Sequence, residues 1–153
     1  LILQRGTTGF QHCREPELPL VELRIFRTVY HTVARDVSAD VIYSPRRHSD
    51  VECNFADALL QLGDDRIVVL VNCFHPLVAF AAEGKVGDTP DFCDHADLAR
   101  AFSAHADFTV LSVATFEQLP TTDMLADLAP AEIEQFNYWK PSRLGDVIFN
   151  YWD

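Results

Sequence analysis

Residues 66–82 read RIVVLVNCFHPLVAFAA, and the rest of the chain is arranged around them. Ile67 to Val71 is an unbroken, β-branched apolar run, so side chains that alternate across a strand are apolar on both sides. Such a strand belongs in the middle of a sheet, covered on each face. His75-Pro76 ends it, because proline has no N–H to give a ladder, and LVAFAA follows as its hairpin partner.

Working toward the N-terminus, an Asp64-Asp65 turn precedes this hairpin. NFADALLQLG at 54–63 places Phe55, Leu59 and Leu62 at helical spacing, with Asn54 as cap and Gly63 at the left-handed end position. The spacing predicts a short helix. SPRRHSD is a breaker, and DVIYS at 40–44 before it predicts a short strand. From Val21, the alternate positions Val21, Leu23, Ile25, Val29 and Val33 predict a long strand whose apolar face is interrupted by Arg27 and His31. Residues 1–20 hold Gly6, Gly9, Pro16 and Pro19 without an apolar period. They read as an extended arm, mobile unless it docks, ahead of a single domain over 21–153.

Toward the C-terminus, GKVGDTP is a loop. If Thr89 caps and Pro90 opens a helix through DFCDHADLARAFSAHADF at 91–108, then Phe92, His95, Leu98, Ala99, Phe102 and Ala106 share an arc of roughly 120°. FTVLSVATF at 108–116 predicts another inner strand. Thr121 or Thr122 can cap DMLADL, Pro130 suits the first turn of AEIEQFNYW, and Pro141 stops that helix. Ser142 can cap a last helix carrying Leu144, Val147, Ile148, Tyr151 and Trp152, with a strand over the same residues as the alternative. The order implies an α+β fold: a mixed, largely antiparallel sheet of four to five strands with packed helices and a helical C-terminal region.

At 153 residues, about 70% of the unfolded surface can be buried. The apolar content of 48% and charged content of 23% are those of a globular domain, for which a homodimer is a reasonable state. No apolar run approaches the roughly 20 residues that cross a bilayer. LILQRGTTGF lacks the features of a signal peptide. Cysteines 13, 53, 73 and 93 are dispersed without a CxxC pair, which reads as reduced thiols in a cytoplasmic protein. The net charge of −11 is concentrated in residues 48–139, where three cations face sixteen acids. That body repels phosphate backbones and anionic lipid, which argues against nucleic acid and membrane; it can attract a basic protein, with acidity that only maintains solubility as the alternative.

No GxGxxG, P-loop, GxSxG or HExxH occurs, so no cofactor and no catalytic residue is assigned. The His and Asp of 91–108 invite a metal reading. On one helix His95 and His105 stand about 15 Å apart, too far to share an ion, and Cys93 and His95 diverge by about 200°. The aspartates suit a helix start, so a Cys93–His95 metal site requires a non-helical start, and no metal is assigned.

Arg27 and His31 on an apolar strand face would need a partner or a ligand. Cys73 and His75 share a face at the end of the central strand, as a thiolate–imidazole pair would. These four residues form the candidate ligand pocket. Tyr138, Trp139, Phe149, Tyr151 and Trp152 either close the core, the favoured reading, or present a protein-facing patch. The expected function is a non-enzymatic cytosolic binding protein of inhibitor or immunity type, with its acidic surface toward a basic partner. The alternative is a small-molecule binder or enzyme built on Arg27, His31, Cys73 and His75.

Overall fold

The computed structural model describes residues 1–152. The central hairpin forms as the apolar run requires: β3 (Asp65–Asn72) pairs antiparallel with β4 (Leu77–Ala82). Around it stand β1 (Asp40–Arg47) and β2 (Phe55–Leu62) on one side, and β5 (Phe92–Cys93) on the other, all antiparallel in the order β1-β2-β3-β4-β5. A sixth short strand, β6 (Thr109–Val110), pairs with β4 in parallel. The sheet is therefore mixed and largely antiparallel, and the fold is α+β.

Both faces of the sheet are covered, which explains the double-sided apolar run. On one face Ala56, Ala58, Leu60, Ile67, Val69, Val71, Val78 and Phe80 pack against α1 (Leu23–Asp36) and α2 (Ala96–Ser103). On the other, Phe55, Leu70, Ala79 and Ala81 pack against residues 113–152 and Leu3. That second layer contains α3 (Val113–Phe116), α4 (Pro130–Trp139) and α5 (Gly145–Ile148).

Two expected elements are corrected. Residues 23–36 form a helix rather than the long strand. Phe26, Val29, Tyr30, Val33 and Ala34 recur at i, i+3, i+4, i+7 and i+8 and are the buried face, whereas Ile25, counted toward a strand, is 45% exposed. Residues 55–62 form a strand rather than a helix. All of 55–60 are buried, because alternate side chains enter both layers. Gly63 is left-handed as expected, at φ +56°, but it opens the two-residue turn of the β2–β3 hairpin instead of ending a helix.

Three boundaries also move. Residues 89–94 are extended rather than helical, since Phe92 and Cys93 complete the edge of β4; His95 then caps α2, its Nδ1 accepting from Leu98 N–H at 3.3 Å. Of FTVLSVATF only Thr109 and Val110 pair, because Ser112 caps α3 by accepting from Thr115 N–H. The final helix stops at Ile148, and Phe149–Trp152 continue without strand pairing. Pro130 does open α4, and the chain turns out of it at Lys140, φ +50°, just before Pro141. No described helix is long and apolar enough to cross a membrane.

Residues 3–8 of the N-terminal arm dock, whereas most of 11–20 is exposed. Leu3 N–H donates to Met124 O, and Gly6, Thr7 and Thr8 are buried in a turn over α4. Glu132, fully buried, fastens this turn: its carboxylate accepts from Gly6 N–H (2.9 Å), Thr8 N–H (3.0 Å), Thr8 Oγ1–H (2.8 Å) and Ala129 N–H (2.9 Å). Four donors replace the water that a buried carboxylate loses. Beneath the turn, the Nδ2 groups of Asn54 and Asn72 both donate to Thr7 O and Ile148 O. Asn150 Nδ2 donates to Thr8 O and Val147 O, and its backbone N–H donates to Asn54 Oδ1. Both ends of the chain are thus sewn onto the ends of β2 and β3.

Glu132→Gln leaves one acceptor oxygen for four donors and turns an NH₂ toward them. It should cost about 3 kcal/mol, read as a lower urea midpoint, whereas Glu134→Gln, exposed on the same helix, should stay within about 0.5 kcal/mol. Equal midpoints for the two variants would remove Glu132 from this role.

Candidate functional site

The site begins with irregularity in β1. Tyr43 lies opposite Leu59 and Arg46 opposite Asp57, so one extra residue is inserted between those two pairs; another shift lies between Val41 and Tyr43. Residues opposite each other in an antiparallel ladder point to the same face. Leu59 and Asp57 are two apart and share a face, so Tyr43 and Arg46, three apart, are brought to that face as well. A regular strand would split them. Tyr30 of α1 steadies the distortion: its hydroxyl proton is shared between Tyr43 O (3.1 Å) and Leu59 O (2.9 Å). Burial pushes the Tyr30 hydroxyl pKa well up, keeping it a donor.

Asp57 is the centre of the cluster that results. Tyr43 Oη donates to Asp57 Oδ2 at 2.8 Å. Burial first, and this carboxylate second, raise the Tyr43 hydroxyl pKa. His48 Nε2 lies 2.8 Å from Asp57 Oδ1, yet Oδ1 receives no aligned hydrogen bond. The imidazole closes that oxygen to solvent and forms an ion pair with it when protonated. Arg46 Nε stands 3.9 Å from the same oxygen, with its guanidinium 4.1 Å above the centre of the Tyr43 ring. Asp57 is only 8% exposed.

These side chains form one wall of a cavity of about 560 Å³. Phe55, Val68, Leu70 and Ala81 give it an apolar floor, the 83–91 loop an opposite wall, and Tyr151 a flank. Tyr151 stacks edge-on against Phe55 at 5.1 Å, and burial raises its hydroxyl pKa. Asp57, Glu83, Asp88 and Asp91 line the cavity against two permanent cations, Arg46 and Lys85. The volume lies within the roughly 300–1,000 Å³ of ligand pockets, and the charge balance is negative.

No family model, curated protein or solved structure matches the chain.

The residues singled out from sequence lie elsewhere. Because 23–36 is a helix, Arg27 and His31 sit on its exposed side: Arg27 Nε donates to Pro45 O at 2.8 Å, and His31 Nε2 is 2.8 Å from Ser44 Oγ. The charge on an apolar strand face, which pointed Arg27 at a ligand, is removed with the strand. Cys73 is buried on the opposite face of the sheet, in the core under α1, with its backbone N–H donating to Asn54 O and its carbonyl accepting from Val21 N–H. His75 donates from Nε2 to Arg5 O at 2.8 Å, helping to dock the arm. None of the four lines the cavity at Asp57.

His95 serves as a helix cap, and among the described residues no group of three or more His, Cys, Asp and Glu is placed to hold a metal. Of the C-terminal aromatics, Phe149 and Trp152 close the core, while Tyr138 and Trp139 are exposed.

Sequence reasoning passed over Tyr43, Arg46, His48 and Asp57. One signal was available: Asp57 is a single carboxylate inside the apolar FADALL, and a buried acid calls for explanation.

The cysteine chemistry follows from burial. The Cys73 thiol is pushed up to about 11, so at pH 8 roughly one molecule in a thousand carries the thiolate there. Cys53 and Cys93 are also raised, by burial first. A disulfide reagent at pH 8 should label exposed Cys13 first and leave Cys73 unmodified in the folded protein, with Cys73 labelling rising only as the pH approaches 11. Peptide mapping checks the order, and early labelling of Cys73 would contradict its burial.

Proposed function

We propose that this chain is a binding protein for a cationic group displayed by a basic partner protein, and that the cavity beside Asp57 receives that group. The observation that carries the reading is the lining of the cavity: Asp57, Glu83, Asp88 and Asp91 against two permanent cations, Arg46 and Lys85, beside an apolar floor. A ligand ammonium or guanidinium offsets that local negative charge. The apolar floor excludes water from one side and strengthens that contact.

The whole chain supports the same partner class. A net charge of −11 attracts basic proteins over distance and speeds their encounter, while the cavity provides orientation. Inhibitor or immunity-type action against a basic protein is the concrete form this function takes. Its contact point is the face carrying Tyr43, Asp57 and the 83–91 loop, not the end of β3.

Calorimetry with hexaarginine at low ionic strength tests the reading. Asp57→Asn keeps the shape of the side chain and removes its charge, so it should weaken binding by about tenfold or more, as loss of one well-placed charge contact does. Asp64→Asn, in the exposed β2–β3 turn, should leave the affinity within about twofold. Equal losses for both variants would mean that only diffuse charge is being read, and the Asp57 site would be withdrawn.

A further inference from the structure

We infer that the cavity beside Asp57 is one half of a longer groove, and that the other half receives an aromatic side chain carried by the partner close to its cationic residue. This rests on the cation-binding reading above and adds the second side chain by which the partner is recognised.

A second cavity, of about 440 Å³, adjoins the first. Thr89 and Tyr151 line both, so the two are divided by that pair of residues and not by a layer of the fold. A single extended segment can therefore reach into each. The volume is again within the roughly 300–1,000 Å³ of ligand pockets.

The chemistry of the second half is different. Trp139, Pro141, Tyr151 and Trp152 supply rings to its lining, and the charged residues there are Lys140 and Asp146. Asp146 is taken up by Arg143 at 3.0 Å, whereas Lys140 forms no ion pair among the described residues. An unpaired ammonium among rings repels a second cation and attracts the negative face of an aromatic ring. Charge thus sorts the two side chains: the cation goes to the acidic half and the ring to the other.

The ring-lined wall is in place before a ligand arrives. Trp139 stands at the end of α4, where its Nε1–H donates to Gln135 Oε1 one turn back at 3.2 Å and its ring meets Tyr138 edge-on at 5.3 Å. Lys140 then turns left-handed and Pro141 fixes the exit, so the helix end and the following turn line the cavity together. Trp139 nevertheless remains 39% exposed. A tryptophan held in position but left uncovered, beside a cavity, is the side chain on which protein interfaces concentrate their binding energy.

Calorimetry with two hexapeptides of equal charge, Arg-Arg-Trp-Trp-Arg-Arg and Arg-Arg-Leu-Leu-Arg-Arg, tests the inference on the full chain. The tryptophan peptide should bind about tenfold more tightly than the leucine peptide. Trp139→Ala should bring the two within about twofold of each other by weakening the tryptophan peptide alone. Tyr138→Ala, which removes an exposed ring that does not line the cavity, should keep the difference. Trp139→Leu, which keeps apolar bulk without the ring, repeats the comparison if the alanine variant fails to fold.

Equal affinities for the two peptides in the unmodified chain overturn the aromatic half of the groove. So does a difference that survives Trp139→Ala, or one that Tyr138→Ala abolishes to the same extent, since indole would then be adhering to exposed rings in general. In each of these cases the cation reading stands as long as both peptides bind and weaken with Asp57→Asn. Binding of neither peptide, or binding indifferent to Asp57→Asn, defeats that reading as well.

Discussion

The buried junction between the two ends of the chain is the constraint on which the other layers depend. Thr7 O and Ile148 O each accept from both Asn54 and Asn72, and Glu132 closes the turn above with four accepted hydrogen bonds. None of these groups meets water, so each bond is worth more than on the surface and each omission would cost more. The sheet's second face is covered by segments with little regular structure, including the turns at 121–128 and the extended residues after Ile148. Short elements such as α3 and α5, of four residues each, cannot hold themselves in place. Side-chain hydrogen bonds to their backbone do that instead.

With the second face anchored, the first edge of the sheet is free to depart from regularity. The shifts in β1 bring Tyr43 and Arg46 together over Asp57, and Tyr151, three residues beyond Ile148, forms the cavity's flank. Cavity and junction are therefore linked through the C-terminal segment. The charge pattern in the cavity continues the acidic character of residues 48–139.

Legibility followed burial. The β3–β4 hairpin was readable because its apolar run is short, rich in β-branched residues and bounded by turn residues on both sides. The segments at 21–33 and 55–62 were exchanged because each satisfies both periods. In the first, weight on the alternate positions hid Phe26 and Tyr30, whose addition completes a helical stripe. In the second, burial of every residue from 55 to 60 erases the periodicity that would have marked a strand. Asn54 and Gly63 reinforced the error, since an amide and a left-handed glycine serve a helix or a hairpin equally. The candidate site was hidden for another reason. A one-residue register shift leaves no compositional trace, and without it Tyr43 and Arg46 point apart.

The junction also bears on the order of events during synthesis. Thr8 and Asn150, bonded to each other, are 142 residues apart, so the amino-terminal turn is made long before its partner exists. Closing so long a loop adds little extra entropy once the ends are near, but it cannot begin until nearly the whole span to Asn150 has emerged. Until then Asn54 and Asn72 wait at the ends of β2 and β3 with amides unsatisfied, and Phe55, Leu70 and Ala79 lack their cover. A nascent chain at that stage is a sheet finished on one face and adhesive on the other. The segment around Asn150 therefore acts as a seal, and folding speed should be limited by this long-range closure rather than by the local hairpins.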